Sequence, residues 1–248
     1  MKKNIKDNRG YNQVWRKSRA MKIRTARRSN RIISEMDTDR DIDILEIGCG
    51  TGEMSLSIAK QMGRSKVLGT DLCRHFIDSA QKKYKLKNLD FKLLNFNNDQ
   101  EIKRLIGNKK FDYVVGNGIL HHLFDNIDTV TKQFNKLLKV NGKILFWEPN
   151  IFNPYCFLIF KIKYLRKLTS LEPGEMAFSK KYINKILLTN GFGQIKVTYE
   201  DFLLPNTPDT LINFSIKAGK LMEKIPLANH LSQSIFISAR KMKQDGRN

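Results

Sequence analysis

The chain is poor in cysteine, in proline, in acidic residues and in long apolar runs. Its three cysteines, Cys49, Cys73 and Cys156, lie far apart with no CxxC pair or Cys/His cluster. That spacing excludes a disulfide framework and a zinc site, and it predicts a reducing, cytoplasmic setting. The longest apolar run, from Ile151 to Phe160, contains Asn153 and Pro154 and is followed by Lys161 and Lys163. It is too short and too polar to span a bilayer. The opening MKKNIKDNRG leads into more polar and basic residues, not into the apolar stretch of a signal peptide. Acidic residues number 24 against 45 Lys and Arg, for a formal net charge of +21.

What is present is enough for a packed core: 248 residues, 41% hydrophobic and 10% aromatic, which excludes a disordered chain. The charge is uneven. Residues 1–32 carry 12 Lys and Arg against one acid, and half of the 14 arginines lie there, whereas residues 33–150 carry 18 bases against 16 acids. A lysine-rich solvated surface accounts for part of this, and the arginine clustering favours an anionic partner: a phosphate, a lipid surface or nucleic acid.

The hydrophobic pattern alternates short apolar runs with amphipathic segments. A helix is predicted from Tyr11 to Ile33 with a thin stripe of Tyr11, Val14 or Trp15, Ser18, Met21 and Thr25. Strands are predicted at 43–47, 66–70, 90–94, 111–115 and 143–147, the last entered through a turn at Asn141-Gly142. Helices are expected at 53–62 and 74–84. Residues 148–178 read as an irregular, aromatic-rich insertion, followed by a helix capped by Ser179, a strand at 194–202, a helix at 210–224 and a strand at 234–240. Strands joined by helical crossovers imply an α/β doubly wound, mostly parallel seven-stranded sheet. The expected organisation is a single domain over 1–248: a basic helical arm (1–40), a ligand-binding core (41–150), a lid insertion (151–178) and the C-terminal part of the sheet (179–248).

In such a sheet ligands lie beyond the carboxyl ends of the strands. The segment Glu46-Ile47-Gly48-Cys49-Gly50-Thr51-Gly52 ends a strand and opens a helix, with three glycines that let a ligand approach bare amides. Glu46 before this loop would repel a phosphate and attract an amine, and Asp71, ending the next strand, can accept both hydroxyls of a ribose. Together with ILEIGCGTGEMS, the segments LGTDLC, LLNF, FDYVVGNGILHHL and LLKVNGKILFWEPN fall in order along the chain. As a set they resemble the class I S-adenosylmethionine-dependent methyltransferases, of the branch acting on small or lipid-type acceptors.

The resemblance implies S-adenosyl-L-methionine as cofactor and a Rossmann-like fold. Gly48, Cys49, Gly50 and Gly52 would border its methionine part, Glu46 would hold its amino end and Asp71 its ribose. Leu72 would pack on adenine, Asn95 would accept from its amino group, Phe96 would contact the ring through its backbone, and Asn117 would lie near the sulfonium. His122, or its neighbour His121, would serve as base, with Glu148 orienting the acceptor. Tyr11, Trp15, Asn150 and Tyr155 would frame the substrate. No metal is expected, because the histidine neighbours are not the acidic groups of metal-binding relatives. The expected activity is methyl transfer, at oxygen in preference to nitrogen, to a small or lipid-linked and anionic acceptor, with contact to an anionic membrane. An RNA methyltransferase whose basic arm binds phosphates and a non-catalytic cofactor-binding protein are the alternatives. The oligomeric state is not written in the sequence.

Overall fold

The computed structural model describes residues 18–169 and 171–243. Helix α1 spans Arg19–Ile33 and is followed by strand β1 (Asp43–Ile47), α2 (Glu53–Gln61), β2 (Lys66–Asp71) and α3 (Arg74–Lys83). Then come β3 (Leu89–Leu93), α4 (Asp99–Ile106), β4 (Phe111–Asn117), a 3-10 segment (Leu120–Asn126), α5 (Ile127–Leu137) and β5 (Leu138–Pro149). The insertion holds α6 (Pro154–Lys161) and α7 (Lys163–Leu168), and the chain continues through α8 (Lys180–Thr189), β6 (Phe192–Glu200), α9 (Ile212–Met222) and β7 (Ser234–Lys241).

The seven strands form one sheet in the order β3-β2-β1-β4-β5-β7-β6. Pairs among β1 to β5 are parallel, and β7 runs antiparallel to both β5 and β6. Successive side chains on a strand face opposite sides, so near-continuous apolar strands are what a sheet covered on both faces requires. Leu45, Val114, Ile144 and Phe146 pack with α4, α5 and α8 on one face. Ile44, Tyr113, Val115 and Leu145 pack with α1, α2 and α3 on the other.

Three expectations change. Of the helix predicted from Tyr11, residues 11–17 lie outside the described residues; among the described residues α1 is capped by Ser18, whose backbone is extended and whose side chain accepts the Met21 amide. Its buried face is Ala20, Arg24, Arg28 and Ile32, in place of the Met21–Thr25 stripe. The irregular insertion contains two helices, because Asn153 caps α6 and Pro154 occupies its first turn, where a missing N–H costs nothing. The turn at Asn141-Gly142 lies inside β5: Phe111 pairs with Leu138 and Tyr113 with Lys143, so the extra residues form a bulge, with Asn141 at φ 65°.

Candidate active site

Strands β1, β2, β4 and β5 deliver their carboxyl ends to one edge, and a cavity of about 1520 Å³ opens there. Its walls include the loop from Glu46 to Thr51, Asp71, Leu72, Asn95, Phe96, Asn117, His121, His122 and Tyr155. The glycine loop is tight. Gly48, Gly50 and Gly52 have φ of 66°, 53° and 85°, a region that costs side-chain-bearing residues dearly. A Cβ on Gly48 would also stand 2.5 Å from Cγ1 of Ile119, so the spot closest to the end of β4 admits only glycine.

Asp71 ties the two loops together. One carboxylate oxygen accepts the Gly50 N–H at 2.9 Å and the other the Cys73 N–H at 2.8 Å. Burial raises its pKa, with these amides opposing. Glu46 is 2% exposed and accepts from the Ser55 hydroxyl. Burial pushes it to about 8, and the neighbouring carboxylates Glu53 and Asp71 add to the rise. A carboxyl kept from ionising at a cavity wall is matched by a cationic ligand. Cys49 is buried and its thiol is raised well above the usual range by burial, so it is a wall of the loop and no nucleophile. Leu72 stands 40% exposed over the cavity. Asn95 accepts the Asn97 N–H at 2.9 Å through its side-chain oxygen, and Phe96 sits edge-on against Phe134.

The two histidines lie with ring centroids 4.0 Å apart, each braced by its own buried carboxylate. His121 Nδ1 is 2.9 Å from Glu148 and His122 Nδ1 is 2.7 Å from Glu175. Burial, helped by His122, lowers the His121 pKa. The His122 side chain is 33% exposed against 13% for His121, so His122 is the more accessible of the two.

Two expected acceptor contacts are corrected. Glu148 is fully buried and accepts the backbone N–H groups of Ile119, Leu120 and His121 at 2.9, 2.6 and 3.2 Å. It anchors the start of the 3-10 segment and is absent from the cavity lining. Asn150 is also fully buried; it donates to the His230 and Ser232 carbonyls and accepts from the Phe152 amide, tying the lid to the connection before β7 instead of lining the cavity. Tyr11 and Trp15 lie outside the described residues.

Sequence reasoning missed Glu175 and the arginines of α1. Arg24 and Arg28 both donate from Nε to one oxygen of Asp201 at 2.8 Å, and Arg28 Nη1 donates to Asn117 at 2.7 Å. The four-residue spacing of Ala20, Arg24, Arg28 and Ile32 was the available signal. Glu175 is held by the lid: Arg166 donates to the carbonyls of Phe160, Glu172, Pro173 and Glu175. His121, His122 and Glu175 bring ligand-type atoms within 4.8 Å of one another, a grouping able to hold a metal ion. Both Nδ1 atoms are already engaged by carboxylates, so an ion there would meet the Nε2 atoms together with a Glu175 oxygen or displace those contacts.

A glycine loop, Asp71 and the buried Glu46 lie at one edge of a seven-stranded sheet with one reversed strand, the α/β fold of the Rossmann-like methyltransferases. The family profile described as a methyltransferase domain matches residues 45–144. A malonyl-[acyl-carrier protein] O-methyltransferase of Priestia megaterium is 26% identical over 165 residues, 64% of this chain and 57% of the relative. A demethylmenaquinone methyltransferase of Lactobacillus johnsonii is 31% identical over 102 residues, 40% of this chain and 41% of the relative. The crystal structure of a SAM-dependent methyltransferase from Archaeoglobus fulgidus superposes with a TM-score of 0.63 at 19% identity, covering 93% of this chain and 98% of that one. The chain thus spans about half the length of these curated relatives. Over residues 45–144 the chain is similar to methyltransferase domains, and its fold is that of the Rossmann-like methyltransferases.

Proposed function

We propose that this chain transfers a methyl group from S-adenosylmethionine to an oxygen of a small or lipid-linked acceptor. The bound cofactor supplies an electrophilic methyl group on a positively charged sulfur. Gly48, Gly50 and Gly52 give its methionine part room, Glu46 takes its ammonium and Asp71 its ribose hydroxyls. Leu72 and Phe96 flank the adenine. The acceptor is aligned for in-line displacement by the wall that joins Asn117, His122 and Tyr155. His122 receives the acceptor's proton on Nε2, since Glu175 occupies Nδ1 and fixes the ring.

The observation that carries this reading is the His122–Glu175 pair at the mouth of the same cavity that the glycine loop lines. The acceptor class draws support from the names of the relatives, one a malonyl-[acyl-carrier protein] O-methyltransferase and one a demethylmenaquinone methyltransferase. The test is incubation with methyl-labelled cofactor and fractionated cell extract, after a thermal shift with S-adenosylhomocysteine. Label entering small-molecule or lipid fractions agrees with the reading, label in RNA replaces it, and no shift at millimolar ligand removes the cofactor assignment.

Cofactor binding carries a proton signature. Below about pH 8 the free protein holds Glu46 protonated, whereas a bound ammonium requires the carboxylate. Affinity for S-adenosylhomocysteine is therefore expected to rise with pH, by up to about tenfold per unit, and to flatten above that value. Titration calorimetry in buffers of different ionisation heat reads the released proton, and Glu46→Gln should abolish the slope. A flat affinity between about pH 6 and pH 8 would show that Glu46 does not meet the ammonium.

Contact with an anionic membrane is supported by the lid's outer face. Phe157, Tyr164 and Leu168 are 50%, 69% and 64% exposed among Lys161, Lys163 and Lys167, the combination that seats an amphipathic surface on acidic lipids. Arg166 is turned inward to the lid carbonyls and does not contribute. Among the described residues no helix is long and apolar enough to cross a membrane. Pelleting with phosphatidylglycerol vesicles, and loss of pelleting in the double variant Phe157→Ser, Tyr164→Ser, is the expected result; equal pelleting of both proteins sinks this reading. The RNA alternative is weakened by α1 itself, because Arg24 and Arg28 are buried in the cavity wall and Arg27 and Arg31 meet Asp201, Glu35 and Glu200, so these four do not form a phosphate-tracking face.

A further inference from the structure

Arginines rarely lie buried in a cavity wall without a counter-charge apiece. Arg24 and Arg28 do: each is 6% exposed, and both belong to the cavity wall. Their Nε atoms share one carboxylate, Asp201, so the inner pair carries one positive charge more than its partner. Arg27 also reaches Asp201, at 3.4 Å, but from the outer side, with its side chain 30% exposed. The remaining partners are neutral. Arg24 Nη2 donates to Gln233 and Ser234, and Arg28 donates to Asn117, Gln233 and Ser234. Arg24 Nη1 makes no hydrogen bond within the described residues. Of the other nearby acids, Glu148 is already engaged by three backbone amides and His121, and Glu223 accepts the Asp201 N–H.

We propose that Arg24 and Arg28 form an anion subsite of the acceptor pocket and that its ligand is a single carboxylate carried by the acceptor. This rests on the acceptor reading above and names the group by which the acceptor is held. A planar carboxylate matches the fork of a guanidinium. One carboxylate also balances the inner pair, whereas a phosphate dianion would bring a second negative charge close to Asp201. The subsite adjoins Asn117 at the end of β4 and the wall of Tyr155, Ile159 and Leu204, so an apolar body can extend from an anchored head.

The test uses the full chain loaded with S-adenosylhomocysteine and three probes sharing one alkyl tail: octanoate, octyl phosphate and octanol. Calorimetry in about 0.5 M salt suppresses binding to exposed lysines but screens a buried pair much less. Octanoate is expected to bind at least about tenfold tighter than octanol, the equivalent of a charge-assisted bond. Arg24→Gln should erase that preference while S-adenosylhomocysteine binds as before, and Arg24→Lys should keep part of it. Equal binding of octanoate and octanol to the unaltered protein overturns the proposal, even if the variants fail to fold. Octyl phosphate binding tighter than octanoate overturns the choice of carboxylate. Failure of S-adenosylhomocysteine to bind at all would instead remove the reading on which the proposal rests.

Discussion

His122→Ala is expected to lower kcat by about 10²- to 10⁴-fold, the range over which a positioned general base acts, with affinity for S-adenosylhomocysteine changed by less than about twofold. His122 shares the cavity with the glycine loop, Asp71 and Asn95, but its side chain is hydrogen-bonded to Glu175 and not to any of them, so the two effects are separable. Glu175→Gln keeps the size of the brace and removes the charge that stabilises an imidazolium. A charge-assisted hydrogen bond contributes roughly 1.5–3 kcal/mol, which translates to roughly tenfold to 150-fold in rate. Single-turnover measurements with saturating cofactor read both. His121→Ala should cost less, since burial lowers the His121 pKa and its ring is turned to Glu148. Unchanged turnover in His122→Ala would end the base assignment and shift attention to an acceptor that needs no deprotonation.

Asp201→Asn is expected to destabilise the fold by roughly 3–5 kcal/mol, as breaking a buried ion pair does. Asp201 follows β6 with φ 71°, and its oxygens take Nε of Arg24 and of Arg28 and Nη1 of Arg27. Burial opposes its charge, but the two inner arginines outweigh burial and hold its pKa far below the ordinary carboxylate range. The sign follows: a depressed native pKa contributes stability above the unfolded value, and that stability is lost only as the solution becomes strongly acidic. Without the carboxylate, Arg28 would remain over the Trp147 ring, 5.0 Å from its centroid, beside Arg24 and with no counter-charge. Arg28 is already lowered to about 10 by burial and by Arg24, with Asp201 opposing that fall. Urea denaturation reads the loss; a change under about 1 kcal/mol would mean that apolar contacts such as Ala20 with Leu203 and Ile212 hold α1 in place by themselves.

The parallel half of the sheet was legible because its strands obey the simplest rule, a short apolar run stopped by glycine or an acid at the carboxyl end. Asp43–Ile47 and Lys66–Asp71 show it, and the loop residues Gly48 to Gly52 and Asp71 follow directly. Two kinds of feature escaped. Prolines around 149–173 read as breakers, yet Pro154 with the Asn153 cap starts a helix. In α1, periodicity assumed that the inward residues are apolar, whereas the inward face is built on arginines whose shared carboxylate, Asp201, lies more than 170 residues away. No local pattern records such a pairing. A separation of 53 residues likewise hid Glu175, which meets His122 only once the lid folds back, with the Met176 amide on the His121 carbonyl.

The reversed strand also shapes what kinds of change this protein tolerates. Because β7 runs against β5, its first residue, Ser234, pairs with the last of β5, Pro149. The catalytic edge is therefore finished by the beginning of a strand, and Gln233 and Ser234 reach the arginines from there. Lengthening the chain by one residue between α9 and β7 can be absorbed in the loop or passed into the strand. If it passes into the strand, every inward side chain of β7 turns outward and the arginine contacts go with it. Insertions in that connection should thus divide sharply into silent and ruinous, according to which side of Gln233 takes up the extra residue.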